Sequence, residues 1–329
     1  MSRSLSVAVE SWPIRGVFRI SRGARTEAHV VVATVQDGAA VGRGECVPYT
    51  RYSESVDSVV AQIRGVADAV AGGLDREGLL AALPAGAARN AVDCALWDLE
   101  AKLSGIPAWT LAGLAVPQAT VTTVFTLSVD TPEAMGEAAA ANAERPLLKL
   151  KMTGDGLDLD RVARIHANAP RTRLVVDANE AWDVATYRDL APKLAGLGVE
   201  MIEQPLPAKD DGGLLGLERP VPVCADESCH DTATLAALAG KYDTVNIKLD
   251  KTGGLTEALR LRAEAERLGF GIMVGCMIGT SLGMAPAMLV AQGVGLVDLD
   301  APLLLARDRE PGMRYVGSVV HPAEPALWG

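Results

Sequence analysis

From about residue 120 the chain repeats one unit, a short apolar run followed by a loop and a helical pattern, and this periodicity constrains the fold more than any other feature. The apolar runs end near Thr126, Lys151, Asp177, Glu203, Asp226, Lys248, Cys276 and Asp298, and from Lys151 onward the ends recur every 22 to 28 residues. That length accommodates one strand, one loop and one helix. Helical patterns fill the gaps, among them Leu157 to Ala169, Val184 to Leu197, Thr232 to Leu238, Leu255 to Leu268 and Leu282 to Val294. Eight strands alternating with helices close most naturally into a parallel barrel, an α/β architecture. A doubly wound open sheet is the competitor, but no glycine-rich phosphate loop follows the first strand to favour it.

The first third has a different grammar. Val7 to Ile14, His29 to Val35 and Ala40 to Cys46 read as strands, the last two joined by a turn at Asp37-Gly38. Helical patterns follow at Ser55 to Ala71, Asp75 to Leu83 and Gly86 to Leu103. Strands and then helices imply an α+β domain, which the punctuation at Gly113 and Pro117 ends. The expected organisation is residues 1–117 as an α+β cap, 118–310 as the barrel and 311–329 as a tail.

Charge excludes several functions. A formal net charge of -10 with pI near 5.0 argues against a nucleic-acid footprint or an anionic membrane surface, which leaves a small-molecule partner. No apolar run of membrane-spanning length goes unbroken by Gly, Pro or charge, and Met1 to Glu10 has no long apolar run behind Arg3. Cys46, Cys94, Cys224, Cys229 and Cys276 lack paired metal-ligand spacing, so reduced thiols and a cytoplasmic setting are expected. A homo-oligomer is compatible with the sequence.

In a barrel, strand-end residues reach the C-terminal mouth, so Lys151, Asp177, Glu203, Asp226, Lys248 and Asp298 are expected to meet there. Singly, Asp177 or Asp226 reads equally well as a helix cap, but caps do not account for the matching lysines. Asp177, Glu203 and Asp226, from adjacent strands with no His or Cys beside them, form a hard oxygen set suited to Mg²⁺, one ion per subunit. Lys149 and Lys151 alternate onto one face of their strand, where apolar walls and a second cation should depress an amine's hold on its proton. Lys151 lies one strand before the first acid and Lys248 one strand after the last. Two amines flanking one metal can remove a proton from one face of a carbon and return it to the other.

This order of residues resembles the enolase superfamily, specifically its muconate-lactonizing subgroup: a lysine pair on the second barrel strand, Asp, Glu and Asp on the next three, and a lysine on the sixth. Several strings, including ISRGARTEAHVVV, GECVPYTRYSES, EQPLPAKDD, CADESCH, VNIKLDKTGGLTEAL and VDLDAP, are similar to those of the L-Ala-D/L-Glu dipeptide epimerases. The resemblance implies an enolase-like fold, with an α+β cap, a modified (β/α)7β barrel and a tail returning to the cap. It implies an isomerase: a Mg²⁺-dependent epimerase that interconverts L-Ala-D-Glu and L-Ala-L-Glu, with Lys151 and Lys248 as the acid/base pair and murein peptide use as its role. Lys149 then lowers the proton affinity of Lys151. Asp298 and Asp300 would hold the dipeptide's free ammonium, and Arg25, with Arg22 and Arg19 as nearby alternatives, the glutamate side chain. Thr126, Cys276 and Met277 would line the pocket, with ordinary packing as the other reading.

The alternatives within the subgroup are N-acylamino acid racemase, o-succinylbenzoate synthase and cycloisomerase. Asp298 and Asp300 speak against the first two, because an N-acylated substrate offers them no charge. A barrel that only binds peptides gains nothing from two buried amines. His29, His166, His230 and His321 have no partner indicating a triad or metal site. Asn179 and Trp182 read as supports for Asp177, and Lys251 as loop surface or a contact to the acids.

Overall fold

The computed structural model describes residues 3–329. Three strands, β1 (Ser4–Ile20), β2 (Gly23–Asp37) and β3 (Ala40–Cys46), form an antiparallel sheet. Four helices follow, Val56–Gly65, Ala67–Ala71, Arg76–Ala82 and Ala87–Ser104. The single helix expected over Ser55 to Ala71 is therefore two, divided at Val66, whose backbone leaves helical geometry. The helix Ala87–Ser104 lies directly on β3: a side chain at Gly42 or Gly44 would collide with the Ala95 or Ala91 carbonyl.

The sequence reading places Arg25 in a loop between the first two strands, and the structure corrects this. The hairpin continues past Ile14 through a register shift between Pro13 and Phe18, turning only at Ser21-Arg22, so that Arg25 stands on β2 opposite Phe18. Beyond Pro13 both strands leave the cap core, and their mostly exposed residues lose the apolar alternation that marks a strand.

A short strand β4 (Val121–Thr122) leads into eight parallel strands: β5 (Phe125–Leu127), β6 (Leu147–Lys151), β7 (Arg173–Asp177), β8 (Val199–Glu203), β9 (Val223–Ala225), β10 (Thr244–Ile247), β11 (Gly271–Val274) and β12 (Leu296–Val297). Each pairs with the next, and the Val124 N–H donates to the Val297 carbonyl at 2.9 Å, bringing the first and last together. Helices such as Pro132–Ala141, Asp158–Asn168, Val184–Gly196, Leu255–Arg267 and Ser281–Val290 form the outer layer, and Thr232–Leu238 is a 3-10 rather than an α turn. The α/β fold expected from the repeat is present. Asp226, Lys248 and Asp298 stand one residue beyond their ladders and Cys276 two, while β5 runs one residue past Thr126.

Two further strands, β13 (Tyr315–Val316) and β14 (Val319–Val320), pair with each other, and β14 pairs with β4. The last residues reach the cap helix, where the Trp328 indole donates to the Cys94 carbonyl at 3.0 Å and the Gly329 N–H to Asp98 at 2.7 Å.

Buried acids tie cap to barrel. Glu45 on β3 accepts from the Thr280 N–H and hydroxyl and from Arg309, which also reaches Glu10. Asp250, just after β10, accepts from the Val47 N–H at 3.0 Å and from Asn90 at 2.8 Å. Burial outweighs those hydrogen bonds and pushes the Asp250 carboxyl up to about 7. In the window between the ordinary carboxylate value of 3.8 and about 7 the folded chain therefore keeps a proton that the unfolded chain has lost, and stability falls as pH rises. An amide at this position accepts the same two hydrogen bonds without titrating. Asp250→Asn should accordingly gain on the order of 3 kcal/mol over wild type between about pH 4 and pH 8, read from denaturant midpoints; a difference flat with pH would contradict this.

Candidate active site

The barrel strands build the site by alternation. One apolar layer, Val124, Leu147, Val175, Met201, Cys224, Met273 and Leu296, fills the barrel floor with about one side chain per strand. Two residues later, on the same face, stand Thr126, Lys149, Asp177, Glu203, Asp226, Gly275 and Asp298. A polar layer thus rests on an apolar one, and burial of its charges follows from strand geometry. Asp177 and Glu203 are neighbours in register and, like Lys149, almost wholly buried.

Lysines interleave with these acids. The Lys149 Nζ lies 2.7 Å from Asp298, 2.6 Å from Glu203 Oε2 and 3.2 Å from Asp177. Lys151 lies 2.6 Å from Asp177, and Lys248 2.7 Å from Asp226. Lys251 is not loop surface: it is buried and donates to the Asp226 carboxylate and carbonyl and to the Asn246 carbonyl. Asn246, two residues before Lys248, donates to Glu203 Oε1 at 2.7 Å. After β7, Asn179 and Glu180 adopt left-handed backbone (φ 45 and 66), and the Asn179 N–H turns back onto Asp177.

The surroundings do not depress Lys149. Burial disfavours charge on Lys149, but Asp298, Glu203 and Asp177 outweigh it and hold that amine well above its ordinary value. Lys248 is raised in the same way, burial being outweighed by Asp226. The acids divide: despite burial, Asp177 is lowered by Lys151 and Lys149, and Asp226 by Lys248 and Lys251, whereas burial and Asp177 raise Glu203. Glu203 Oε2 also receives no hydrogen bond, because Lys149 approaches it outside hydrogen-bonding angles.

That oxygen, 2.6 Å from the Lys149 ammonium yet without a hydrogen bond, keeps its lone pairs available, and three buried carboxylates from successive strand ends supply the hard donors Mg²⁺ prefers. Asp177, Glu203 and Asp226 therefore fit the ion. Among the described residues, the one trio of His, Cys, Asp or Glu ligand atoms lying within 4.8 Å of each other is Cys276, Asp298 and Asp300. The proposed ligands are spread wider, and Lys149 bridges two of them.

A cavity of about 370 Å³ opens above, between the cap hairpin and the barrel mouth, lined by Lys151, Lys248, Asp226, Cys276, Met277 and Arg25 among others. No histidine lines it among the described residues. Lys149, Asp177, Glu203 and Asp298 are buried behind that lining, and Thr126 and Asp300 adjoin them. Asp300 occupies a helix N-cap position without capping it; its carboxylate accepts the Thr126 N–H at 2.6 Å. Burial and Asp298 push Asp300 up to about 7.

The three candidate arginines are distinguished by their partners. Arg19 pairs with Asp130 on the surface. Arg22, at the hairpin turn, is fully engaged with the Asn179 carbonyl, Glu180, the Tyr49 hydroxyl and Glu227. Arg25 stacks over Tyr49 at 5.7 Å and, among the described residues, has no acid partner. Glu180 is also gripped by both arms of Arg51 at 2.7 Å. Sequence reasoning named Arg22 only as an alternative to Arg25, and missed Arg51, Glu180, Glu227, Asn246 and Gln204, whose amide oxygen accepts the Asp226 N–H. Of these, Asn246 carried a readable signal, since it lies on the inward face two positions before Lys248.

Residues 134–305 match the enolase C-terminal domain-like family, and residues 2–113 the N-terminal domain of the mandelate racemase / muconate lactonizing enzyme family. The chain belongs to that family, within the enolase superfamily. It is 46% identical to L-Ala-D/L-Glu epimerase of Escherichia coli (strain K12) over 97% of this chain and 99% of that one. It is 43% identical to N-acetyl-D-glutamate racemase of a Pseudoalteromonas species, covering 91% of this chain and 95% of that one. Among solved structures, it superimposes with a TM-score of 0.98 and 54% identity on an enolase family member from Agrobacterium tumefaciens with homology to dipeptide epimerases, which holds sodium and L-Ala-L-Glu with an ordered loop; 99% of this chain and 100% of that one are covered. The enolase-like fold and the relationship to epimerases are thereby established for this chain.

Arg22 clamps the hairpin tip to the Asn179-Glu180 turn, and Arg51, in the Thr50–Tyr52 turn after β3, holds Glu180 as well. Arg22→Met should raise amide exchange of residues 19–25 about tenfold or more while the barrel strands keep their protection; unchanged exchange there would contradict the clamp.

Proposed function

We propose that the protein is a Mg²⁺-dependent dipeptide epimerase that interconverts L-Ala-D-Glu and L-Ala-L-Glu by 1,1-proton transfer at the glutamate α-carbon. The observation that carries this is the placement of two amines, Lys151 and Lys248, in one cavity, from strands on either side of those bearing Asp177, Glu203 and Asp226. The name of the Escherichia coli relative and the bound dipeptide in the Agrobacterium structure support the substrate class.

In this reading Asp177, Glu203 and Asp226 hold the ion, oriented by Asn179, Asn246 and Lys251. Mg²⁺, when bound, supplies a Lewis acid for the substrate's terminal carboxylate and the negative charge that develops beside it. Lys151 and Lys248 exchange a proton with opposite faces of the α-carbon: for one epimer Lys151 is the base and Lys248 the acid, and for the other they trade roles. A base must first be neutral, and the surrounding acids oppose that for Lys248. Once those acids are otherwise neutralised, the same burial that now opposes its charge favours the free amine. Asp298 and Asp300 take the free ammonium, with Lys149 beside them; Arg25, the arginine without an acid partner, takes the glutamate side chain. Cys276 and Met277 shape the walls, and Thr126, expected among them, stands behind the lining with its N–H on Asp300. We assign the substrate pair to murein peptide use in the cytoplasm, a setting in keeping with five free cysteines.

The Pseudoalteromonas relative favours a second reading, racemisation of N-acetylglutamate in the same cavity. Its substrate lacks the ammonium that the pair Asp298 and Asp300 would bind. Incubation with Mg²⁺ in D₂O separates the two: deuterium should enter the glutamate α-position of L-Ala-L-Glu, and far more slowly that of N-acetyl-L-glutamate, while the reverse preference would overturn the dipeptide assignment. Lys151→Ala and Lys248→Ala should each lower epimerisation by about 10²–10⁴-fold and abolish exchange from opposite epimers. Loss of exchange from the same epimer in both variants would refute the two-sided assignment.

A further inference from the structure

Lys149 has the most crowded position of any amine in the site. It is buried, and its Nζ stands within 3.2 Å of three carboxylates on three different strands: Asp177, Glu203 and Asp298. Two of these are proposed metal ligands, and the third belongs to the pair assigned to the ammonium. The contacts are unequal. With Asp298 the amine makes a hydrogen bond at 2.7 Å, whereas at Glu203 it lies close by but outside hydrogen-bonding angles, leaving Oε2 without a donor. One contact is directional, the other electrostatic alone.

We propose that Lys149 is an internal counter-ion for the metal: its ammonium holds Glu203 and Asp177 together ahead of the ion, competes with the ion for Glu203, and withdraws onto Asp298 when the ion arrives. The inference rests on the reading that these acids take Mg²⁺. It follows from charge. Glu203 and Asp177 repel each other at close range in a buried site, so a cation is needed whether or not a metal is bound. Lys149 meets that need in its present position. A divalent ion brings twice the charge and repels the ammonium, and Asp298 offers the place to which it can retreat. Lys151 makes a useful contrast, because it carries the same charge into the same site but contacts Asp177 alone among the three ligands.

Mg²⁺ binding measured by calorimetry, without substrate, tests this. Lys149→Met removes the competitor and should tighten Mg²⁺ about tenfold, more than Lys151→Met does. Asp298→Asn removes the retreat, leaving Lys149 on Glu203 and Asp177, and should weaken Mg²⁺ several-fold; in the Lys149→Met background that weakening should largely vanish. Should Lys149→Met fail to fold without the ion, the sign of the Asp298→Asn shift decides alone, with unchanged or tighter binding overturning the proposal. Lys149→Met binding no tighter than Lys151→Met, or an Asp298→Asn effect that is the same with and without Lys149, would overturn it too. If the wild type shows no Mg²⁺ binding, the metal assignment itself fails and takes the inference with it.

Discussion

Everything in this structure depends on keeping like charges close together in a dry place. The barrel raises acids onto an apolar floor by the two-residue alternation of its strands, with Val175 beneath Asp177, Met201 beneath Glu203 and Cys224 beneath Asp226. Unscreened carboxylates in such a position are tolerable only if cations match them. Lys149, Lys151, Lys248 and Lys251 provide that match, each within hydrogen-bonding range of at least one acid. The residue left out of balance is Glu203, raised by burial and by Asp177 and holding an oxygen without a donor. The need for an ion and the chemistry assigned to the site arise from the same imbalance.

The cap converts this charged mouth into a cavity. Glu45 and Asp250 fasten the body of the cap to the barrel at buried positions, while Arg22 fastens the hairpin tip, and Arg51 the Thr50–Tyr52 turn, to the turn that follows Asp177. The two attachments differ in character. The first is deeply buried and fixes the cap's seat; the second is half-buried, reaches the backbone of a turn with two successive left-handed residues, and carries Arg25 with it. The hairpin therefore brings the substrate-facing cation and the closure of the cavity on one element.

Much of this was legible in the residues because it follows local rules. Alternation placed Lys149 with Lys151 on one inward face, and the spacing of strand ends brought Asp177, Glu203 and Asp226 to adjacent positions. The same alternation, carried one step further, would have found Asn246. What local pattern could not convey was pairing between distant segments. The sequence offered no sign that Arg22 reaches Glu227, and it left Lys251 open between loop surface and the contact to Asp226 that the fold makes. Nor did it foretell the electrostatic outcome at Lys149: a lysine beside apolar residues reads as depressed until the acids facing it are known. The continuation of the hairpin to Ser21 was hidden because those strands leave the core, and an exposed strand has no apolar rhythm.

The central claim is geometric, and the structure of the protein with Mg²⁺ and L-Ala-L-Glu bound tests it most directly. The account predicts the ion among Asp177, Glu203 and Asp226, with the Lys151 and Lys248 nitrogens about 3–3.5 Å from the glutamate α-carbon on opposite faces. Both nitrogens on one face of that carbon, or an ion seated away from the three acids, would contradict it.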